Sequence, residues 1–432
     1  MYSLLATAIA LFTGLMMTRL FKKLHIQLPD VTAYLIAGVC VGPFLIGALH
    51  IPGFGFSSLS EINQISFLSN VALGFIAFDI GNEFRLSHLR ETGKAATIIG
   101  VFQSVMATVL VDAALIILHF VLGPEVLPLP VAITLGAIAS ATAPAATLMV
   151  VRQYKAKGPV TDLLLPIVAL DDAVGLVLFA VSFGIAQAID GGAINAAGII
   201  LNPMIEIVAS LILGTLMGLL LTRLEKLFYS NTNRLNMTIA FVLMTIALSS
   251  LEFQITESIR IDFSALLVCM MLGTTFCNFS EFSDDIMKRS ERWTSPLYAV
   301  FFVISGAQLD LSVFRYPLIV LIGFVYILIR CLGKYLGARI SSTLMHCETN
   351  VRKYLGITLF PQAGVALGMV ITAQALGTEM GSMVRNIILF SVLVYELIGP
   401  MLTKIALTHA GEIQPAKSDL QNRARFANSQ KV

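Results

Sequence analysis

Charge is what this sequence has least of. Of its 432 residues only 12% are Asp, Glu, Lys or Arg, while 57% are hydrophobic. A soluble globular domain carries about 25% charged residues, so this chain lacks the polar groups to cover a water-facing surface, and a soluble enzyme is excluded. Cysteine is scarce and odd in number: Cys40, Cys269, Cys277, Cys331 and Cys347 show no paired spacing. That excludes a disulfide framework or a thiolate metal site, and the five are read as small apolar residues of membrane helices. There is no phosphate-binding glycine-rich loop and no His/Glu metalloprotease signature. Neither direct nucleotide hydrolysis nor a resident cofactor is therefore expected, and no nucleic-acid partner. A basic leader before the first apolar run is also missing, so that run is expected to stay as a helix.

What the chain does have is apolar runs of the length a bilayer needs, about 20 residues each. Thirteen are found, near 2–21, 31–50, 65–82, 95–121, 130–151, 162–188, 197–222, 235–251, 262–278, 294–309, 314–340, 354–377 and 384–408. Backbone groups in lipid must be satisfied internally, and the period is far from that of barrel strands, so these runs are helices. The connections alternate in charge. Arg19, Lys22 and Lys23 follow the first helix, Arg85, Arg90 and Lys94 the third, Arg152, Lys155 and Lys157 the fifth. Arg223, Lys226 and Arg234 flank the loop after the seventh, Lys288, Arg289 and Arg292 precede the tenth, and Arg339, Arg352 and Lys353 precede the twelfth. The intervening loops offer only Arg260, Arg315 and Arg385. By the positive-inside rule the N-terminus is outside and the C-terminus cytoplasmic. Residues 1–408 form one transmembrane domain on this reading, and 409–432 a short polar cytoplasmic tail.

Ionisable groups deep in a spanning helix cost several kcal/mol unless they pair or face water, so they are functional candidates by default. The strongest is Asp171-Asp172, about 15 Å into the sixth helix at 1.5 Å per residue. Adjacent helical residues point about 100° apart, so one carboxylate can face a cavity and the other a neighbouring helix. Arg330 and Lys334 are spaced i, i+4 on one face of the eleventh helix. A buried lysine needs a carboxylate partner or loses its charge; Asp171 is a candidate partner, with snorkelling to the interface as the alternative. Glu83 could neutralise Arg330. Glu396, in mid-helix, is a secondary candidate, while Asp79 and Asp112 are as readily explained by structural bonds.

Two helices read as broken. The fifth holds Ala139-Ser-Ala-Thr-Ala-Pro144 and the twelfth Thr358-Leu-Phe-Pro361-Gln362-Ala-Gly. Each puts a proline among small and polar residues in mid-membrane, which frees carbonyls that need a partner. Discontinuous helices at matching positions of two halves point to a transporter's binding site. They match here if 1–190 and 235–408 are repeats joined by a linker helix at 197–222. Six spans plus one linker reverse the orientation, so the repeats are inverted.

These residues resemble the monovalent cation:proton antiporter superfamily, specifically bacterial electrogenic sodium/proton antiporters of the second cation:proton antiporter family. Leu28-Pro-Asp-Val-Thr-Ala-Tyr-Leu-Ile-Ala-Gly-Val-Cys-Val-Gly-Pro43 is similar to the family's opening motif. Ile80-Gly-Asn-Glu83 and Phe301-Phe-Val-Ile-Ser-Gly306 are similar to two more, and Asp171-Asp172 with Gly333-Lys334 is the most specific. The resemblance implies a homodimer in the bacterial cytoplasmic membrane, each subunit having a six-helix core in which two broken helices cross. Thr142, Pro144, Pro361 and Gln362 would sit at that crossing. It further implies Asp172 as principal cation ligand beside Asp171, with Asp171 paired to Lys334. The double aspartate favours the electrogenic sodium branch, with lithium as a further cargo. Thr142-Ala-Pro144 departs from relatives that carry an acid there. The competing functions are potassium/proton exchange, a sodium-coupled organic-anion symporter and a cation-responsive sensor on the same scaffold.

Overall fold

The computed structural model of the protein describes residues 2–24, 28–49, 51–81, 84–189, 196–251, 253–254, 260–309, 311, 314 and 316–413. Among these the chain makes thirteen passes, as the loop charges predict. Passes one to four are α1 (Tyr2–Lys23), α2 (Asp30–Val41), α4 (Ser66–Gly81) after the short α3 (Leu59–Gln64), and α5 (Leu86–Leu122). The fifth is divided into α6 (Leu129–Ile138) and α7 (Pro144–Tyr154), and α8 (Pro159–Ile189) is the sixth. Passes seven to eleven are α9 (Ala196–Leu224), α10 (Asn231–Ser249), α11 (Ala265–Phe279), α12 (Ser283–Gln308) and α13 (Pro317–Leu344). The twelfth is divided into α14 (Thr349–Thr358) and α15 (Gly364–Ala373), and α16 (Thr378–His409) completes the fold. Seven of these helices are long and apolar enough to cross a membrane unaided; the other passes are shorter, more polar, or built from two halves.

The helix ends differ from the apolar runs in an instructive way. The tenth run begins near 294, yet α12 begins at Ser283 and carries Lys288, Arg289 and Arg292 on its first turns. Likewise α5 begins at Leu86, ahead of the run at 95. Hydropathy marks the part of a helix that lies in hydrocarbon, whereas the backbone ladder continues into water. The connection at 51–64 contains α3, whose first turn is capped by Ser58 Oγ accepting from the Glu61 amide at 3.3 Å. A two-residue ribbon pairs Phe253–Gln254 with Arg260–Ile261. The tail expected at 409–432 lies mostly outside the described residues; what is described continues α16 to His409 and then turns.

The two halves are built alike. Taking each pass with the one seven later, α2 packs on α12 as α11 packs on α4, and the equivalent helices α5 and α13 pack on each other. Glycines make the match specific. A methyl group on Gly38 of α2 would lie 2.1 Å from the Val303 carbonyl oxygen, and one on Gly306 of α12 would lie 2.1 Å from that of Leu35. The symmetry-related interface repeats this: Gly273 of α11 against Phe78 at 2.1 Å, and Gly81 of α4 against Met270 at 2.3 Å. Backbone contact through small residues is how helices gain packing in lipid, where apolar burial gives no advantage.

Polar contacts gather the basic connections on one face. The Asp30 amide donates to Gln153 Oε1 at 2.8 Å, and Arg152 pairs with Asp79 at 2.8 Å. Arg85 pairs with Asp284, Ser280 donates to Glu225, Thr161 Oγ1 donates to Glu412 and Asn350 to the Ala410 carbonyl. The loop after α2 lies at the other end, where Ser3 bonds Glu61 at 3.2 Å. Single cysteines placed in 51–64 and in 152–161 are accordingly expected to react with an impermeant thiol reagent from opposite sides of the membrane. Labelling of both from one side would overturn the thirteen-pass weave.

Candidate functional site

The breaks fall where the prolines predict. Residues 139–143 separate α6 from α7, and residues 359–363 separate α14 from α15. Pro144 opens α7, a position where the lost N–H costs no helical bond. The two breaks meet directly: the Ala143 amide donates to the Pro361 carbonyl at 2.9 Å, and Gln362 Nε2 donates to the Ile138 carbonyl at 2.8 Å. Gln362 is also bonded to the Tyr326 hydroxyl.

The carbonyls released by the breaks are met by two cations from α13. Arg330 is fully buried and donates to the carbonyls of Ala139 at 2.9 Å, Phe360 at 2.7 Å and Ala141 at 2.6 Å, so one guanidinium ties both breaks together. Its carbon lies 4.6 Å from the centre of the Tyr395 ring, a cation–π contact. Snorkelling is thereby excluded for Arg330. Glu83, the carboxylate expected to neutralise it, lies outside the described residues, and the bonds described for Arg330 are to backbone. Lys334, one turn on and equally buried, donates to the Ser140 carbonyl at 2.5 Å, Thr142 Oγ1 at 2.9 Å and Asp171 Oδ2 at 3.1 Å.

Asp171 is thus held from α13, from α5 and from the break of the fifth pass. Its Oδ2 accepts from Lys334 and from Thr142 Oγ1 at 2.6 Å; its Oδ1 accepts from Ser104 Oγ at 3.0 Å and from Gln103 Nε2. Gln103 and Ser104 were missed by the sequence argument; their signal is a polar pair in the otherwise apolar middle of α5. With four donors on its two oxygens, Asp171 has no face left for a cation in this arrangement. Asp172 is different. It is 5% exposed, its Oδ1 has no hydrogen-bond partner among the described residues, and it lines a cavity of about 510 Å³. The wall also includes Ser69 of α4, Glu206 of α9, Gln308 of α12, the start of α15, and Glu396 of α16. Ser69 and Gln308 lie at the helix ends away from the basic loops, so the cavity lies between Asp172 and that face.

Asp79, by contrast, sits in a compact bonded group with Arg152, Tyr298 and Thr294, which is a structural arrangement at the basic-loop end.

A buried carboxylate with an oxygen unpartnered among the described residues, on a cavity of that volume and beside an ion pair that holds two broken helices together, is a constellation for moving ions. Residues 7–409 match the family described as "Sodium/hydrogen exchanger, transmembrane". The chain belongs to that family. It is a multi-pass cation/proton antiporter, a transporter and not an enzyme. It is 23% identical over 389 residues to the Na(+)/H(+) antiporter NhaS4 of Synechocystis sp., covering 88% of this chain and 91% of that one. It is 24% identical over 317 residues to the high-affinity Na(+)/H(+) antiporter NhaS3 of the same organism, covering 67% and 65%. Among solved structures, two of the sodium proton antiporter MjNhaP1 of Methanocaldococcus jannaschii share the fold. The one at pH 8 gives a TM-score of 0.62 at 20% identity, covering 95% of this chain and 97% of that one. The electron-microscopy structure gives 0.70 at 18% identity, covering 95% and 98%.

The exchanger's Asp171–Lys334 pair is expected to carry stability as well as charge. Lys334→Met should destabilise the detergent-solubilised protein by about 3–5 kcal/mol, the scale for breaking a buried pair by removing one partner. Asp171→Asn/Lys334→Met should regain much of that loss, since no uncompensated charge remains. Thermal unfolding checks this; a double variant as unstable as Lys334→Met would mean that the pair is not the source.

Proposed function

We infer that the protein exchanges sodium, with lithium as a second cargo, for protons by alternating access, and that the exchange moves net charge. The observation that carries this is the split between the two adjacent acids: Asp172 lines the cavity and its Oδ1 has no hydrogen-bond partner among the described residues, while Asp171 is engaged by Lys334. A carboxylate binds a proton or a small hard cation, not both well, so Asp172 can serve the two in alternation. Oxygen donors suit a hard monovalent cation in the way they suit other hard ions. The Asp171–Lys334 pair supplies the second unit. Lys334 holds its proton while Asp171 is ionised and near. When a cation arrives, the pair can open and release that proton, giving two protons against one cation.

Alternating access follows from the same parts. The cavity lies on the side away from the basic loops, and the core formed by α5–α8 and α13–α16 would move against the remaining helices to expose Asp172 to the other face. The likeness to the Na(+)/H(+) antiporters of Synechocystis sp. supports sodium as cargo. The double aspartate supports the electrogenic branch over one-for-one exchange. By the positive-inside rule the basic face is cytoplasmic, which places the N-terminus outside. The working unit is a homodimer in the cytoplasmic membrane, with residues 1–190 and 235–408 as repeats and 197–222 as the linker.

Asp172→Asn is expected to abolish sodium-coupled proton flux in proteoliposomes while the protein still inserts and purifies as a folded species. Near-normal flux from that variant would remove Asp172 from the centre of the mechanism. On a supported membrane the wild-type protein should give transient or steady currents on sodium jumps, and Lys334→Gln should reduce the current more than it weakens sodium binding. Sodium/proton exchange without any charge movement would instead establish one-for-one stoichiometry. Flux on lithium or potassium jumps in the same assay ranks the cargo.

A further inference from the structure

The two halves of the fold place equivalent residues at equivalent points, and the helices that end each half can be matched residue by residue. In α8 the sequence is Asp171-Asp172-Ala-Val-Gly175; in α16 it is Tyr395-Glu396-Leu-Ile-Gly399. The glycines fix the alignment. A methyl group on Gly175 would meet Ser140 Oγ at 3.2 Å, within the break of the fifth pass, and one on Gly399 would meet the Pro361 side chain at 3.0 Å, within the break of the twelfth. Each glycine therefore packs on the break of its own half. The residue four before each glycine faces a cation of α13: Asp171 is paired with Lys334, and Tyr395 lies under Arg330. The residue three before each glycine is an acid. Asp172 lies thirteen residues in from Pro159, and Glu396 thirteen before His409, at the basic-loop ends of their helices. That places both about 20 Å from that face at 1.5 Å per residue, near the middle of each helix, where inverted repeats bring equivalent positions to one level.

Glu396 shares more than position with Asp172. It is 5% exposed, its Oε2 has no hydrogen-bond partner among the described residues, and it lines the same cavity. Ser69 Oγ, on the wall formed by α4, is likewise buried and unpartnered among the described residues. Three residues that line one cavity thus each carry a buried oxygen with no hydrogen-bond partner among the described residues, a hard, oxygen-only set of potential donors. A buried polar atom left without a partner is costly, and a cation bound in the cavity would relieve that cost at all three.

We propose that Glu396 is a second carboxylate ligand for the transported monovalent cation, the counterpart of Asp172 across the fold's internal symmetry, with Ser69 completing the oxygen set. This rests on the reading of Asp172 as the cation-binding acid and adds to it a ligand from the other repeat. The cation is then held between the two halves, so its binding and release are linked to any movement that separates α8 from α16.

The test uses the full-length protein in proteoliposomes, with sodium as the varied cation. Glu396→Gln should raise the sodium KM by at least tenfold while retaining turnover at saturating sodium. Glu396→Asp should stay within about threefold of wild type, and Ser69→Ala should raise KM by a smaller factor than Glu396→Gln. The same purified proteins are heated in detergent with and without sodium. Wild type and Glu396→Asp should be stabilised by the ion at low millimolar concentration, and Glu396→Gln only at concentrations at least tenfold higher. That second measurement reads binding even where transport is lost. Wild-type sodium flux together with a flux-dead Asp172→Asn shows that the underlying reading stands. On that background, a Glu396→Gln protein with unchanged KM and unchanged sodium stabilisation overturns the proposal.

Discussion

The structure depends on one constraint: a helix broken in the middle of a membrane releases carbonyl groups that lipid cannot satisfy. Both the fifth and twelfth passes are broken, and the breaks touch. Arg330 and Lys334 between them receive the carbonyls of Ala139, Ser140, Ala141 and Phe360. Two cations close to each other in a low-dielectric interior need a counter-charge, and Asp171 supplies it. Asp171 in turn draws Thr142 from the break and Gln103 and Ser104 from α5. Each step follows from the one before, starting from the two prolines. Removing any member leaves a polar group stranded at a depth where water does not replace it.

The same arrangement explains why two adjacent acids take different roles. Helical geometry turns consecutive side chains about 100° apart, so Asp171 points into the bonded cluster and Asp172 out of it. Had the second acid been bonded as fully as the first, exchange would require breaking four bonds to seat one cation. With no partner for Asp172 Oδ1 among the described residues, the proposed exchange of a proton for a cation there has no such bonds to break. On the proposed two-for-one exchange, the neighbouring pair supplies the second proton.

Internal symmetry supplies the mechanical frame. The paired glycine contacts of α2 with α12 and of α11 with α4 bring backbones together at equivalent points in both halves. The core helices obey the same relation, and they depart from it in a chemically sensible way: the acid at Asp171 is matched by an aromatic ring at Tyr395. One cation of α13 is neutralised by charge and the other is held by carbonyls and a π face. The core thus buries one ion pair and one further cation, and the desolvation of that cation is offset by three carbonyls and the ring.

The membrane class, the thirteen passes, the two breaks and the Asp171-Asp172/Lys334 candidates were all legible in the sequence. Each is written in local properties: run length, loop charge, proline among small residues, and charge where hydropathy forbids it. Helix ends beyond the bilayer were not legible, because turns such as those holding Lys288 and Arg289 carry no hydropathy signal. Nor was the role of Arg330, which a pairing rule for charges assigned to a carboxylate, since nothing local says that carbonyls 190 residues away in the chain will converge on it. Gln103 and Ser104 were overlooked for the same reason. Which aspartate is engaged and which is free, and that Glu396 shares a cavity with Asp172, are matters of direction and distance between helices. Only tertiary packing decides those, because side-chain partners in lipid are chosen by which helix faces which, and sequence spacing is silent on that.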